Sequence, residues 1–440
     1  MLRASMLAIP LIGLLAWPTA ALAELPIRQW RTESGARVLF VESRTLPMLD
    51  VAIEFPAGSG RDSAQTSGIA NLTMRLLRLG TQSMSEDEIS ERLADVGAGL
   101  SSRFDVDRAG YALRTLSGER ERAQALQILR DIVQSPSFPS EAIEREKSRT
   151  ISALRESEIR PATIAERTFR ELIFGAHPYS RSDTGIPGTV AKISRAEMMR
   201  FYRRHYTASG AVIAIIGDVS AEEARRIAEM LTAGLAPAAE PLDELPPVPA
   251  PVASVQRVVP HAATQAHIRM GMPGMSRGDP DYFPLWLGNH VLGGGGFSSR
   301  LTIELRQKRG LSYSSYSYFA PYSRPGPFAI GVQTKKEQAA EVLAVVQRTL
   351  RDFVAEGPSA EELEASKQNV IGGFVLRVDS NSEILEYLSM IGFYQLPIDY
   401  VDRFPERIAA VTRAQVTDAF RRRVRPDDMV TVVVGPEKLQ

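Results

Sequence analysis

The sequence predicts an α+β chain of two homologous domains, each an antiparallel-rich mixed sheet packed against several α-helices. Three observations lead there. Alternating strand pairs are followed by runs of long amphipathic helices, without the strict strand-helix alternation a doubly wound parallel sheet needs. Short blocks recur in the same order at a constant offset: Tyr202-Arg203-Arg204 before Val212–Ile216, and Phe420-Arg421-Arg422 before Val430–Val434. Glu141, Ile143, Glu144 and Lys147 likewise match Glu361, Leu363, Glu364 and Lys367 at nearly the same offset. Finally, a stretch with six prolines and no apolar periodicity, residues 236–253, divides the chain into similar halves.

In chain order, residues 1–23 read as an export signal. Arg3 is the basic start, Met6 to Trp17 the apolar run, and Ala21-Leu22-Ala23 a small-x-small cleavage site, with cleavage after Ala23. The expected location is the periplasm, with no membrane span left after cleavage. The expected domains are 24–235 and 254–440, joined by the linker 236–253. Arg37–Glu42, Leu49–Phe55, Gly99–Phe104 and Ala109–Leu116 alternate as strands. Capping boxes open helices at Ser85…Glu88, Ser194…Glu197, Ser220…Glu223, Ser359…Glu362 and Thr412…Gln415. Within 68–81, Ile69, Leu72, Leu76 and Leu79 form a core-facing helical stripe.

Composition excludes several classes. Lys+Arg and Asp+Glu are balanced at 52 each in the 440 residues, so nothing points to nucleic acid as a partner. Cysteine is absent, which removes disulfides, thiolate nucleophiles and thiolate zinc sites. The five histidines (177, 205, 261, 267 and 290) include no i, i+3 or i+4 pair, so no helix offers two to a metal. His177 and His205 are expected to serve structure, as caps or interdomain hydrogen bonds. No G-x-S-x-G elbow supports a serine hydrolase.

From Leu292 to Phe319 the chain carries four consecutive glycines, Gly293, Gly294, Gly295 and Gly296. They read as a mobile loop whose backbone can approach a ligand. A helix from about Ser298 to Gly310 and a strand Leu311–Phe319 follow. No G-K-[ST] accompanies the glycines, so they do not form a nucleotide cradle.

Several stretches together resemble the pitrilysin/insulinase-type metallopeptidases, the inverzincins, over nearly the whole chain after the leader. These are the helix at 68–81, His177-Pro178-Tyr179, Phe201 to Tyr206, Ile216-Gly217-Asp218, and Leu305-Arg306 with Leu311-Ser312-Tyr313. In that family the first helix carries H-x-x-E-H, two zinc-binding histidines around a general base. Here Asn71, Met74 and Arg75 stand at those places, and Ala153 falls, within one residue, where a further ligand glutamate is expected. An amide is a poor zinc ligand, a thioether is no base and a guanidinium repels a cation. The family's L-R-x-x-x-x-L-x-Y motif is intact at Arg306 and Tyr313, which the resemblance assigns to holding the substrate and stabilising an oxyanion. It assigns substrate contact to Gly293–Gly296, as in the zinc-free, alpha-type subunit of processing peptidases.

The resemblance thus implies a zinc-free subunit of a heterodimeric peptidase, with no cofactor in this chain. A homologous H-x-x-E-H partner would supply zinc, and the substrate would be a peptide or unfolded segment. Arg75 is expected to pair with a nearby carboxylate. A scaffold or peptide-binding protein of the same fold, without proteolytic role, is the alternative, and the isolated chain could pair with itself.

Overall fold

The computed structural model describes residues 25–238, 240–250 and 253–439; the expected leader lies outside them. Among the described residues, eleven strands form two sheets. The first takes β1 (Arg28–Arg31), β2 (Arg37–Glu42), β3 (Met48–Phe55), β4 (Gly99–Phe104), β5 (Ala109–Leu116) and β6 (Val212–Gly217), in the order β1-β2-β6-β3-β5-β4. The second takes β7 (Val255–Pro260), β8 (Gln265–Pro273), β9 (Ser314–Phe319), β10 (Pro327–Lys335) and β11 (Val430–Gly435), in the order β7-β11-β8-β10-β9.

The two sheets repeat one topology. In each, a single parallel pair (β2 with β6, β7 with β11) is followed by antiparallel neighbours. The β3–β5–β4 array of the first corresponds to β8–β10–β9 of the second. β1 is the one addition. β6 and β11 are buried along their whole length, which their uninterrupted apolar sequences require.

All five expected capping boxes form, each with the Ser or Thr side chain accepting from the N3 backbone N–H. The four strands expected in the first half appear with bounds changed by at most one residue. These signals are local: a cap closes within one turn and a strand's alternation is set by its own two faces.

The packing between the halves is not local. Helix Pro161–Phe174, although in the first half of the sequence, packs on the second sheet. Its Ala165, Phe169 and Phe174 meet Ala329, Val430, Val432 and Val434. Helix Asn381–Tyr394 returns the exchange, packing on β6, β3 and β2 of the first sheet. There Leu385, Leu388 and Ile391 join Leu39, Val41, Ala52, Val212 and Ile216. Each half therefore completes the other's core.

Polar contacts follow the same exchange. Buried Glu54 accepts from Arg103 at 3.0 Å and Arg108 at 2.9 Å, and Arg103 also reaches Glu386 at 2.9 Å. Buried Asp107 accepts from the Tyr179 hydroxyl at 3.1 Å, the Tyr394 hydroxyl at 2.9 Å and the Ser323 N–H at 2.7 Å. It ties three distant segments at one carboxylate. The described residues of the proline-rich stretch run without regular structure but are held: Arg204 donates to the Pro241 carbonyl, Arg324 to that of Leu245, and the His177 ring contacts that of Pro246 at 3.0 Å. Among the described residues, no helix is long and apolar enough to cross a membrane.

Candidate functional site

Helix Ile69–Leu77 forms with Ile69, Leu72 and Leu76 of the expected stripe buried, while Leu79 lies just past its end and is half-buried. Its first turn is fixed by a residue the sequence reading missed. The Asp62 carboxylate accepts from the Gly68 N–H at 2.6 Å and the Ala70 N–H at 3.0 Å. Burial lifts that carboxyl to about 7, against the pull of those two N–H groups. Gly68 is needed here: its φ is +97°, and a Cβ would lie 2.8 Å from the Thr184 carbonyl.

The expected zinc positions share this helix. Met74 is buried, its carbonyl accepting from the Tyr111 hydroxyl, while Asn71 and Arg75 are half-buried. The Arg75 guanidinium donates to Glu146 at 2.5 Å, and Arg149 reaches the other oxygen of the same carboxylate at 2.7 Å. Glu146 is 2% exposed, so its charge is compensated by these two cations rather than by water. It lies on helix Ser140–Glu158, seven residues before Ala153 and hence on nearly the same face, while Ala153 itself is exposed. That heptad spacing was the available signal for Glu146.

These residues do not fit zinc. Among the described residues, the carboxylate bonded to Arg75 is already bridged by two arginines, and Asn71, Met74 and Arg75 offer no imidazole or thiolate. Among the described residues, no group of three or more His, Asp or Glu side chains is clustered to hold a metal ion.

The second expected site differs in detail from its sequence reading. The glycine run is not an open loop. Gly293 and Gly294 finish a π-helical turn, His290–Gly294, and a Cβ on Gly293 would lie 2.4 Å from the Ser317 Oγ of β9. The first glycines thus permit close packing inside the chain, and only Gly296, at φ +64°, faces open space. The following helix starts at Arg300 rather than Ser298 and passes into a second π-helical turn, Ile303–Gln307, closed by Lys308 N–H donating to the Ile303 carbonyl at 2.9 Å. The strand starts at Ser314 rather than Leu311. Thr334 takes the Leu311 carbonyl at 2.6 Å and the Ser312 hydroxyl donates to the Gln333 carbonyl at 3.0 Å, so side chains replace the ladder there.

The consequence is that Tyr313 sits just before the strand and is 76% exposed. Arg306 projects from the π-helical turn into solvent while its neighbour Leu305 is fully buried. Among the described residues, neither side chain has a hydrogen-bond or ion-pair partner, and no such bond joins them to the helix of Asn71 and Arg75. The guanidinium lies instead over the ring of Phe297, 5.0 Å from its centroid.

The histidines serve the fold. The His177 Nδ1 accepts from the Tyr179 N–H at 3.1 Å, capping a short turn, while its other nitrogen contacts Pro246 of the proline-rich stretch. The His261 ring contacts the Ile159 carbonyl at 2.9 Å.

Comparison with known proteins agrees with this architecture. Residues 37–183 match the family model described as Insulinase (Peptidase family M16), and residues 192–370 the one described as Peptidase M16 inactive domain. The chain belongs to peptidase family M16. It is 33% identical to the solved peptidase M16 inactive domain from Pseudomonas fluorescens, covering 94% of this chain and 99% of that one with a TM-score of 0.90. It is 26% identical to an uncharacterized zinc protease of Streptomyces coelicolor, over 94% of this chain and 90% of the relative. It is 22% identical to a protein of Helicobacter pylori named a non-peptidase homolog, over 91% and 92%.

Proposed function

We propose that this chain is the zinc-free subunit of a periplasmic heterodimeric metallopeptidase. The supporting observation is an asymmetry: the expected metal position is closed by the Arg75–Glu146 ion pair, while Arg306 and Tyr313 stand exposed with no hydrogen-bond or ion-pair partner among the described residues. A homologous partner carrying H-x-x-E-H would bring the zinc and the general base. This chain would bring two donors. The Arg306 fork would hold a substrate carbonyl in plane, and the Tyr313 hydroxyl would donate to the oxyanion that develops at an attacked amide. The open end of the glycine run at Gly296 would line the same approach.

Backbone recognition suits peptides and unfolded segments. β4 is an edge strand paired only with β5, so an extended chain could add to it. The exported location rests on the Arg3, apolar-run and Ala21–Ala23 pattern of the leader.

The second reading is a scaffold or peptide-binding protein without proteolytic role, favoured by the relative named a non-peptidase homolog. One experiment separates the two: co-purification with an H-x-x-E-H chain, followed by peptide cleavage assays. Tyr313→Phe is expected to lower kcat/KM roughly 10² to 10³-fold, about 2.7–4 kcal/mol of transition-state binding. Unchanged turnover with both Tyr313→Phe and Arg306→Ala would leave the scaffold reading standing.

A further inference from the structure

We propose that Phe297 is the positioning residue for Arg306 and the apolar wall of the same recognition site, selecting peptides with a bulky apolar side chain beside the carbonyl that Arg306 holds. This rests on the shared-site reading above and adds a substrate preference to it.

The ring is 70% exposed, yet the turn that displays it is built to hold it there. The Gly295 N–H donates to the His290 carbonyl at 2.8 Å, and the Ser299 hydroxyl to the Gly296 carbonyl at 2.7 Å. The Gln307 amide donates to the carbonyl of Phe297 itself at 2.9 Å. Gln307 follows Arg306 directly, so one turn fixes both the ring and the guanidinium that covers it.

The charges around Arg306 are sorted in the same sense. Lys308 and Arg309 both pair with Glu304, at 2.6 and 2.5 Å. Arg306 is left without a carboxylate among the described residues, its guanidinium carbon over the ring and 5.0 Å from the centroid. A guanidinium stacked on an aromatic face keeps its in-plane N–H donors free, and it loses less freedom when a carbonyl arrives. The ring is 70% exposed, so much of its apolar surface stays in contact with solvent beside the guanidinium. A side chain adjoining the bound carbonyl would gain by covering that surface.

The test has two arms. In the isolated chain, the Arg306 side-chain Nε–Hε signal is assigned by its loss in Arg306→Ala and followed by ¹⁵N NMR. Phe297→Ala is expected to move it to the position and mobility of solvent arginines, and Phe297→Trp to keep it shifted. In the complex with the zinc-binding chain, matched quenched peptides carry Leu or Ser at the varied position. Phe297→Ala is expected to lower kcat/KM on both peptides, about 3 to 10-fold more on the Leu peptide than on the Ser peptide, with Phe297→Trp restoring the preference. An unmoved arginine signal, or an unmoved Leu-to-Ser ratio, overturns the proposal. So does loss of association with the zinc-binding chain in Phe297→Ala, which would make the ring an interface residue. If Arg306→Ala itself leaves cleavage intact, the shared-site reading fails and takes the substrate preference with it, while the NMR arm still decides the positioning role.

Discussion

Arg75 donates across 2.5 Å to Glu146, a carboxylate 2% exposed, on the helix where the family resemblance expects a zinc ligand. The pair puts a fixed positive side chain on the helix where the family resemblance leads one to expect a metal ion. Because Arg149 shares the same carboxylate, the site is a triad rather than a pair.

That triad predicts an unequal cost. Arg75→Ala leaves Glu146 with Arg149 and should destabilise by about 1–2 kcal/mol, whereas removing both arginines strands a buried charge and should cost about 3–5 kcal/mol. Glu146→Gln in the Arg75→Ala background should recover part of the loss. Urea denaturation of the unaltered protein, Arg75→Ala, Arg149→Ala and the double variant gives the coupling, and additive costs would mean that the carboxylate is not shared energetically.

The helix of Asn71, Met74 and Arg75 should accept metal when the family's ligand set is introduced. Asn71→His, Met74→Glu and Arg75→His together supply two imidazoles four apart and a carboxylate between them. Without a further ligand, zinc should bind weakly; adding Ala153→Glu should give one zinc per chain by elemental analysis after dialysis. If Glu at 153 adds nothing, the position assigned to it is wrong.

The exchanged helices predict a single unfolding event. Phe169→Ala, fully buried against the second sheet, and Leu388→Ala, fully buried against the first, should each cost about 3–5 and 2–5 kcal/mol respectively. Each should lower the whole calorimetric transition without splitting it. Two separated transitions in either variant would show that the halves fold independently.

Acid should weaken the fold through His205. Burial lowers its imidazole to about 4, helped by the nearby positive charges of Arg61 and Arg204 and opposed by the Pro56 carbonyl and Asp243. The folded pKa lies below the unfolded value near 6.5, so the unfolded chain takes the proton first. The neutral ring's contribution is complete above pH 6.5 and is lost as pH falls toward 4, up to about 3 kcal/mol. The difference in stability between pH 7 and pH 4.5 should shrink in His205→Gln. An unchanged difference would place the acid sensitivity elsewhere.

Much of the architecture was legible because it is written locally. Ser85 with Glu88 or Thr412 with Gln415 signals a helix start within four residues, and Val430–Val434 announces a buried strand by composition alone. The Arg306–Tyr313 spacing and the empty positions 71, 74 and 75 were equally plain. The glycine run was misread because an unbroken string of glycines looks the same whether it spans solvent or lets a helix end approach a strand; Ser317, more than twenty residues on, decides which. Phe297 carried no signal at all, since an exposed ring and a core ring share one letter.

By itself, then, the sequence determined the capped helices and most of the strands it marked, because each depends on residues a few positions apart, and it showed the duplication because the same local patterns recur in both halves. Only the tertiary structure decided that helices Pro161–Phe174 and Asn381–Tyr394 change places between the sheets. It alone decided that Glu146 faces Arg75 and that Phe297 lies under Arg306. Those relations join segments up to hundreds of residues apart. They are set by which apolar faces and which charges find one another when both sheets are present, and no local pattern encodes that choice.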